Sequence, residues 1–207
     1  MVFTSVIFFA FGAIVASFVE VIAARINTGQ GFLAGRSRCD ACNATLTSNS
    51  LIPIFSYFSF GGRAHCCGTR LSLLAPFSEF LLGVLFALSY LKIGLTGTLF
   101  CMLISLSLLF SIVLYDLAHQ ILPPILLTMF VASSAVTNFL LAQSTAEFFN
   151  VFIIAFLMAL FLALVHIFSR GRAMGLADAP LVFGLALLVG SSALSGFVFS
   201  FLIGAIM

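Results

Sequence analysis

Long stretches without a charged side chain are the feature of this sequence that most restricts its fold. A helix that crosses a bilayer needs about 20 apolar residues. Charged residues make up 7% of the chain, against about 25% in a typical soluble domain. Transmembrane barrels instead show short stretches of alternating polarity. The sequence therefore predicts an all-α, polytopic transmembrane helical bundle with a small cytoplasmic loop that contains cysteines. The uncharged stretches are 93–115, 117–146, 148–169 and 179–207.

The pattern divides the chain into three parts. Residues 1–24 are predicted to form a first transmembrane span, because they lack a basic leading region and a convincing signal-peptide cleavage site. Residues 25–73 form a polar loop, and residues 74–207 form a transmembrane core with spans at about 74–91, 95–115, 121–142 and 148–169. The last 29 residues, 179–207, are long for one span. Because "GSSALSG" (190–196) is a plausible break, we expect six or seven spans.

Basic residues concentrate in the loop. By the positive-inside rule this loop faces the cytoplasm and the N-terminus lies outside. Alternating the spans then places Asp116 and Asp178 at the cytoplasmic edge of the membrane. The five basic residues of the loop, out of eight in the chain, are Arg25, Arg36, Arg38, Arg63 and Arg70.

Four of the five cysteines also lie in this loop. Cys39 and Cys42 have the CxxC spacing of a metal knuckle, and Cys66 and Cys67 follow. A cytoplasmic loop is in a reducing compartment, where metal binding is favoured over disulfides, and zinc is the usual metal. We expect Cys39, Cys42 and Cys67 as ligands, with Cys66 or the neighbouring His65 as the fourth. The alternative is a loop with free thiols.

Asp116 and Asp178 are expected at the same depth on different helices, since two spans separate them. Two facing carboxylates can share a proton, one accepting it from water and the other donating to a carbonyl, as in aspartic proteases. Small residues around Asp178 would let a substrate backbone approach. Pro123 and Pro124 would end any helix that continues past Asp116. The alternative is that each aspartate simply marks the end of a span.

Several motifs, in order, resemble those of type IV prepilin peptidases, which are bifunctional leader peptidases and methyltransferases among the GxGD membrane aspartic proteases. "FGAIVASFVEVIAARI" (11–26) is similar to the family's first span. "RSRCDACNATLTSNSLIPIFSYFSFGGRAHCCGTRLS" (36–72) is similar to its cytoplasmic loop, and "APFSEFLLG" (75–83) matches a P-x-x-E-x-x-x-G segment. "YDLAHQILPP" and "GLADAPLVFG" resemble the segments of the two catalytic aspartates.

The resemblance implies that Asp116 and Asp178 are the catalytic pair and that the cysteine loop binds zinc. It further implies a prepilin or pseudopilin substrate of a type IV pilus or type II secretion system, cut at the cytoplasmic face of the bacterial inner membrane. Methylation of the mature N-terminus would use S-adenosylmethionine. Departures from the family pattern include Ala177 for the second glycine of GxGD, Ala64 for one cysteine, and Glu20 for an asparagine. Besides substrate, the expected partner is the lipid bilayer, with no nucleic acid.

Two other functions fit parts of the pattern. A catalytically attenuated homologue could bind prepilins without cutting them. A proton-coupled transporter could use Asp116 and Asp178 as a relay, although it would need a midplane carboxylate that this sequence does not supply. Glu20 and Glu79 are either functional or ordinary interfacial charges that pair with Arg25 or Arg70.

Overall fold

The computed structural model describes residues 2–25, 39, 41–42, 44–45, 53–172 and 174–206, and most of these residues are helical. Arg36, Arg38 and most of the segment between residues 26 and 52 lie outside the described residues. The helices are α1 (Val2–Arg25), α2 (Phe55–Ser59), α3 (Leu74–Ile93), α4 (Gly97–His119), α5 (Pro124–Leu141), α6 (Thr145–Phe168), α7 (Asp178–Val189) and α8 (Ala193–Ile206).

Within the described residues, six helical segments are long and apolar enough to cross a membrane, which confirms the expected multi-pass helical bundle. Five of them are α1, α3, α4, α5 and α6, and the sixth runs from Asp178 to Phe199 through α7 into α8. The expected break in the last stretch is present, because a 3₁₀ turn at Gly190–Ser192 separates α7 from α8. Gly190 has φ 75°, a left-handed conformation that favours glycine.

The chain divides into two compact units. Unit 1 comprises Met1–Leu95 and Phe110–Gln120, and unit 2 comprises Thr96–Leu109 and Ile121–Met207. Helix α4 therefore contributes its first part to unit 2 and its last part to unit 1.

In unit 1, α1 and α3 cross at two glycines. A Cβ added to Gly12 would lie 2.7 Å from the carbonyl oxygen of Leu82 and 2.8 Å from the Cα of Gly83. A Cβ added to Gly83 would lie 2.9 Å from the carbonyl oxygen of Phe9. Small residues at such crossings let two transmembrane backbones approach closely. These glycines belong to the two motifs "FGAIVASFVEV" and "APFSEFLLG", so both motifs have a packing role here.

In unit 2, polar side chains tie the helices together. The Asn138 amide nitrogen on α5 donates to the carbonyl oxygen of Leu187 on α7 at 2.9 Å. That carbonyl lies in the last turn of α7, where the backbone lacks intrahelical partners. Ser105 on α4 and Thr137 on α5 share a hydrogen bond of 3.2 Å. Inside a bilayer such bonds hold helices together without help from water.

The turn between α4 and α5 differs from the expectation for the two prolines. Helix α4 ends at His119, before either proline, and Gln120 takes a φ of 53°. Pro124 is the first residue of α5, a position where proline is favoured because its missing N–H has no helical partner. The prolines thus begin the next helix and do not end the previous one.

Candidate active site and cysteine cluster

Asp116 lies in the last turn of α4, and its side chain is exposed. The preceding Tyr115 is buried and packs with Leu114 against Val19 and Ala23 of α1. A carboxylate at a helix C-terminus faces the negative end of the helix dipole. An acidic residue at this position does not stabilise the helix, and this favours a functional role for Asp116.

Asp178 is the first residue of α7 and is partly exposed. Its carboxylate accepts a hydrogen bond of 2.9 Å from the Gly175 backbone N–H. Its own N–H donates to the Gly175 carbonyl oxygen at 3.3 Å. This reciprocal pair closes the turn that leads into the helix, and the helix dipole favours a negative charge there. These two hydrogen bonds hold Asp178 in a defined position at the start of the sixth span.

Ala177 occupies the position where the family pattern has a glycine. Its backbone has φ −70° and ψ −16°, in the right-handed helical region that any L-residue adopts. The methyl group therefore adds no backbone strain, and this departure leaves the Asp178 turn intact.

The two histidines near these segments have neighbours of their own. The ring of His119 contacts that of Tyr115, with centroids 4.5 Å apart. A ring nitrogen of His166, Nδ1, is 2.7 Å from the carbonyl oxygen of Met174. His166 therefore ties the end of α6 to the segment that precedes Asp178.

The four loop cysteines come together. Their sulfur atoms all lie within 4.8 Å of one another. The Sγ atoms of Cys42 and Cys66 are 3.3 Å apart, those of Cys39 and Cys67 are 3.7 Å apart, and those of Cys66 and Cys67 are 3.9 Å apart. None of the four forms a disulfide. Such a group can hold a metal ion.

Two turns build this cluster. Cys39 and Cys42 lie in a turn closed by a 2.9 Å hydrogen bond from the Cys39 N–H to the Ala44 carbonyl oxygen. Cys66 and Cys67 lie at the tip of a hairpin, which hydrogen bonds between Ala64 and Thr69 and between Leu71 and Gly62 hold closed. The hairpin tip brings Cys66 into the cluster, so the alanine at position 64 does not reduce the number of thiols to three.

The thiols differ in their acidity. Hydrogen bonds from the Thr69 hydroxyl and backbone lower the pKa of Cys67 to about 6. Hydrogen bonding to the sulfurs of Cys42 and Cys39 raises the pKa of Cys66 to about 12. A Cys67 thiolate is therefore already present at neutral pH, whereas Cys66 keeps its proton until a cation displaces it.

Glu20 and Glu79 do not pair with Arg70 among the described side chains. The Ser78 hydroxyl donates to the Glu20 carboxylate. The buried Glu79 carboxylate accepts a 2.6 Å hydrogen bond from the Ile54 N–H, and the Ser17 hydroxyl also bonds to it. Glu79 thus connects the loop to both α1 and α3. Sequence reasoning did not single out Ser17, Ser78 or Ile54, although polar residues within apolar spans were a visible signal for the two serines.

Among the predicted site residues, the structure assembles the loop cysteines. It brings Cys39, Cys42, Cys66 and Cys67 into one cluster. His65 is not in that cluster, and its ring packs against Phe60 with centroids 5.0 Å apart. Asp116 belongs to unit 1 and Asp178 to unit 2.

Two family profiles match the chain. Residues 10–93 match the bacterial peptidase A24 N-terminal domain. Residues 103–207, which include both aspartates, match the type IV leader peptidase family. The chain belongs to this family. The membership confirms the resemblance found in the sequence motifs.

Curated relatives agree with the profiles. The prepilin leader peptidase/N-methyltransferase of Bacillus subtilis is 31% identical over 201 residues, which cover 97% of this chain and 80% of the relative. The protein of the same name in Myxococcus xanthus is 35% identical over 119 residues, which cover 58% of this chain and 36% of the relative. No solved structure shows a significant match.

Proposed function

We propose that this protein is a membrane-embedded aspartic endopeptidase that removes the leader peptide of type IV prepilins or pseudopilins at the cytoplasmic face of the bacterial inner membrane. The observation that carries the proposal is the family match over residues 103–207, which contains both Asp116 and Asp178. The names of the relatives provide the substrate class.

Asp116 and Asp178 are the catalytic pair in this proposal. One carboxylate, in its ionised form, takes a proton from the attacking water, and the protonated partner donates to the carbonyl oxygen of the scissile peptide. The span order supports a common membrane face, because α5 and α6 separate the end of α4 from the start of α7. Scission at a membrane edge suits a substrate that is anchored by an apolar segment next to the cleavage site.

The four-cysteine cluster is proposed to hold zinc. Sulfurs bound tetrahedrally to Zn²⁺ at about 2.3 Å lie about 3.8 Å apart, and the observed separations of 3.3, 3.7 and 3.9 Å bracket that value. Four thiolates leave no coordination position for water or substrate. The ion would therefore stabilise the loop between α1 and α3 and would not act on the peptide bond.

Methylation of the mature N-terminus is a second proposed activity, and it rests on the names of the relatives. S-adenosylmethionine would supply the methyl group. The apolar groove beside α3, lined by residues such as Phe58 and Phe77, does not fit a charged nucleoside cofactor, so we assign no methylation step to it. Transfer of a labelled methyl group to a cleaved prepilin tests this activity separately from cleavage.

Cleavage of a host prepilin by membranes that contain this protein tests the peptidase proposal. We expect the wild type to cut, and Asp116→Asn and Asp178→Asn each to reduce the rate by at least roughly 10²-fold. Glu147→Gln is the matched control, because it makes the same chemical change at an exposed carboxylate at the start of α6. Cutting by either aspartate variant at a rate close to that of Glu147→Gln, at equal membrane content, would refute the catalytic assignment. A wild type that cuts no host prepilin would instead favour the attenuated homologue.

A further inference from the structure

An apolar groove of about 540 Å³ lies where the loop meets α3. Its walls come from the first turns of α3 and from the short helix α2 with the residue before it. Several of these side chains are largely exposed: Phe58 by 73%, Leu73 by 67% and Phe77 by 62%. All of them belong to unit 1. The lining residues are Ile54, Phe58, Leu73, Leu74, Pro76, Phe77 and Phe80.

The groove is continuous with a membrane-spanning surface. Leu74, Phe77 and Phe80 open the α3 span, and their exposed faces on that span must meet lipid. Phe55 and Phe58 of α2 extend the same apolar surface beyond the end of the span. Tyr57 of α2 lies beside these residues, and tyrosine is enriched at the level of lipid headgroups. The groove therefore lies at the height of the membrane interface.

The backbone of the loop is fixed to the span at this point. Ile54 has φ 60°, a conformation that a β-branched residue rarely adopts. The buried Glu79 carboxylate of α3 holds the Ile54 N–H. This hydrogen bond keeps α2 beside the first turns of α3. It also stabilises the unusual backbone conformation of Ile54 at the edge of the groove.

Charge next to the groove favours an anionic occupant. Residues 53–73 contain Arg63 and Arg70 and no acidic residue. Arg63 and Arg70 lie directly opposite each other across the hairpin, so their side chains project from the same face. The repulsion between the two positive charges destabilises the hairpin. An anion between them would remove that cost. Arg70 is three residues from Leu73 of the groove, a reach of about 10 Å at most.

We infer that residues 53–73 form a membrane anchor that binds an anionic phospholipid, with an acyl chain in the groove and the headgroup phosphate at Arg63 and Arg70. Lipid fits better than a peptide because the apolar surface continues from a membrane span and the arginines beside it, Arg63 and Arg70, are exposed. The anchor holds the cysteine hairpin, which lies between the two arginines, against the membrane surface.

The protein contains no tryptophan, so a single introduced tryptophan reports on the groove. The full chain with Phe58→Trp is reconstituted in nanodiscs that contain brominated phospholipid, with Phe80→Trp in the span as the reference and Phe55→Trp as a second reporter. We expect quenching at position 58 of at least roughly half that at position 80. Circular dichroism checks that each variant keeps its helix content.

A second experiment varies the charge of the lipid headgroup. With Phe58→Trp, quenching is expected to increase when phosphatidylglycerol replaces phosphatidylcholine, and Arg63→Gln with Arg70→Gln should abolish the increase. No quenching at positions 55 and 58, with normal quenching at position 80, would overturn the proposal and assign the groove to another part of this chain. Quenching that disappears when a prepilin is added without lipid exchange would assign the groove to substrate. Quenching of the introduced tryptophan that is the same in phosphatidylglycerol and phosphatidylcholine would refute the role of the two arginines.

Discussion

Individual residues show which departures from the family pattern matter physically. Ala177 replaces a glycine but has ordinary helical dihedral angles. Ala64 replaces a cysteine, but Cys66 takes the fourth position in the cluster. In both cases the local backbone, and not the identity of the motif residue, decides whether the site is preserved.

Ala177→Gly is expected to leave prepilin cleavage intact and to reduce stability. Glycine adds conformational freedom to the unfolded chain and relieves no strain here, so the free energy of unfolding should fall by about 0.5–1 kcal/mol. Thermal inactivation of cleavage in membranes measures the difference. A large gain in cleavage rate for the glycine variant would show instead that Ala177 attenuates the enzyme.

Metal binding by the cysteine cluster should weaken as the pH falls. In the metal-free protein the thiol of Cys67 is ionised above a pKa of about 6, so below that pH zinc must displace the Cys67 proton as well. Cys66, whose pKa is raised to about 12, must release its proton on binding, so affinity also depends on pH above 6. We expect bound zinc to be retained at pH 8 and released to a chelator through pH 6.

Ligand variants provide the control for that experiment. Cys39→Ser and Cys67→Ser should lose the metal, whereas Cys101→Ser, in the α4 span, should keep it. Equal retention at pH 5 and pH 8, or a full metal content in Cys67→Ser, would exclude a four-thiolate site.

At the scale of helices, close contact between α1 and α3 organises unit 1. Gly12 and Gly83 make the crossing, and Glu79 fixes the loop to the same pair. The P-x-x-E-x-x-x-G motif thus combines a loop attachment with a helix contact, four residues apart on one face of α3.

Gly83→Ala is expected to destabilise this helix pair. The added methyl carbon would lie 2.9 Å from the Phe9 carbonyl oxygen, so the backbones must separate and lose packing, at a cost of about 1–3 kcal/mol. Gly196→Ala is the matched control, because nothing lies within 4 Å of its added carbon. The yield of folded protein and the temperature at which it aggregates in detergent should fall for Gly83→Ala alone. Equal behaviour of the two variants would mean that α1 and α3 do not cross at these glycines.

At the scale of the whole molecule, the six spans found among the described residues and the distribution of arginine predict an orientation in the membrane. The positive-inside rule predicts that the cysteine hairpin lies in the cytoplasm. A membrane-impermeant maleimide should therefore label metal-stripped protein in inverted vesicles and not in spheroplasts. Cys42, Cys66 and Cys67 are exposed, and a variant that retains only Cys101 provides the background. Labelling in spheroplasts would reverse the topology and remove the aspartates from the proposed face.

Much of this architecture followed from the sequence alone. Apolar length predicted six or seven spans and their approximate positions, because a bilayer demands about 20 apolar residues wherever the chain crosses it. The break near Gly190 and the ordered family motifs were visible for the same reason: each is a local property of the chain.

Only the tertiary structure decided the contacts between distant segments. The cysteine cluster contains Cys66 and not His65. The Glu79 carboxylate accepts a hydrogen bond from the Ile54 N–H and does not pair with Arg70. Gly12 of α1 packs against Gly83 of α3. These choices depend on backbone direction and on separations of a few ångströms between residues far apart in sequence. Composition and residue spacing do not specify these distances, because the same sequence is compatible with several sets of long-range contacts before the helices pack.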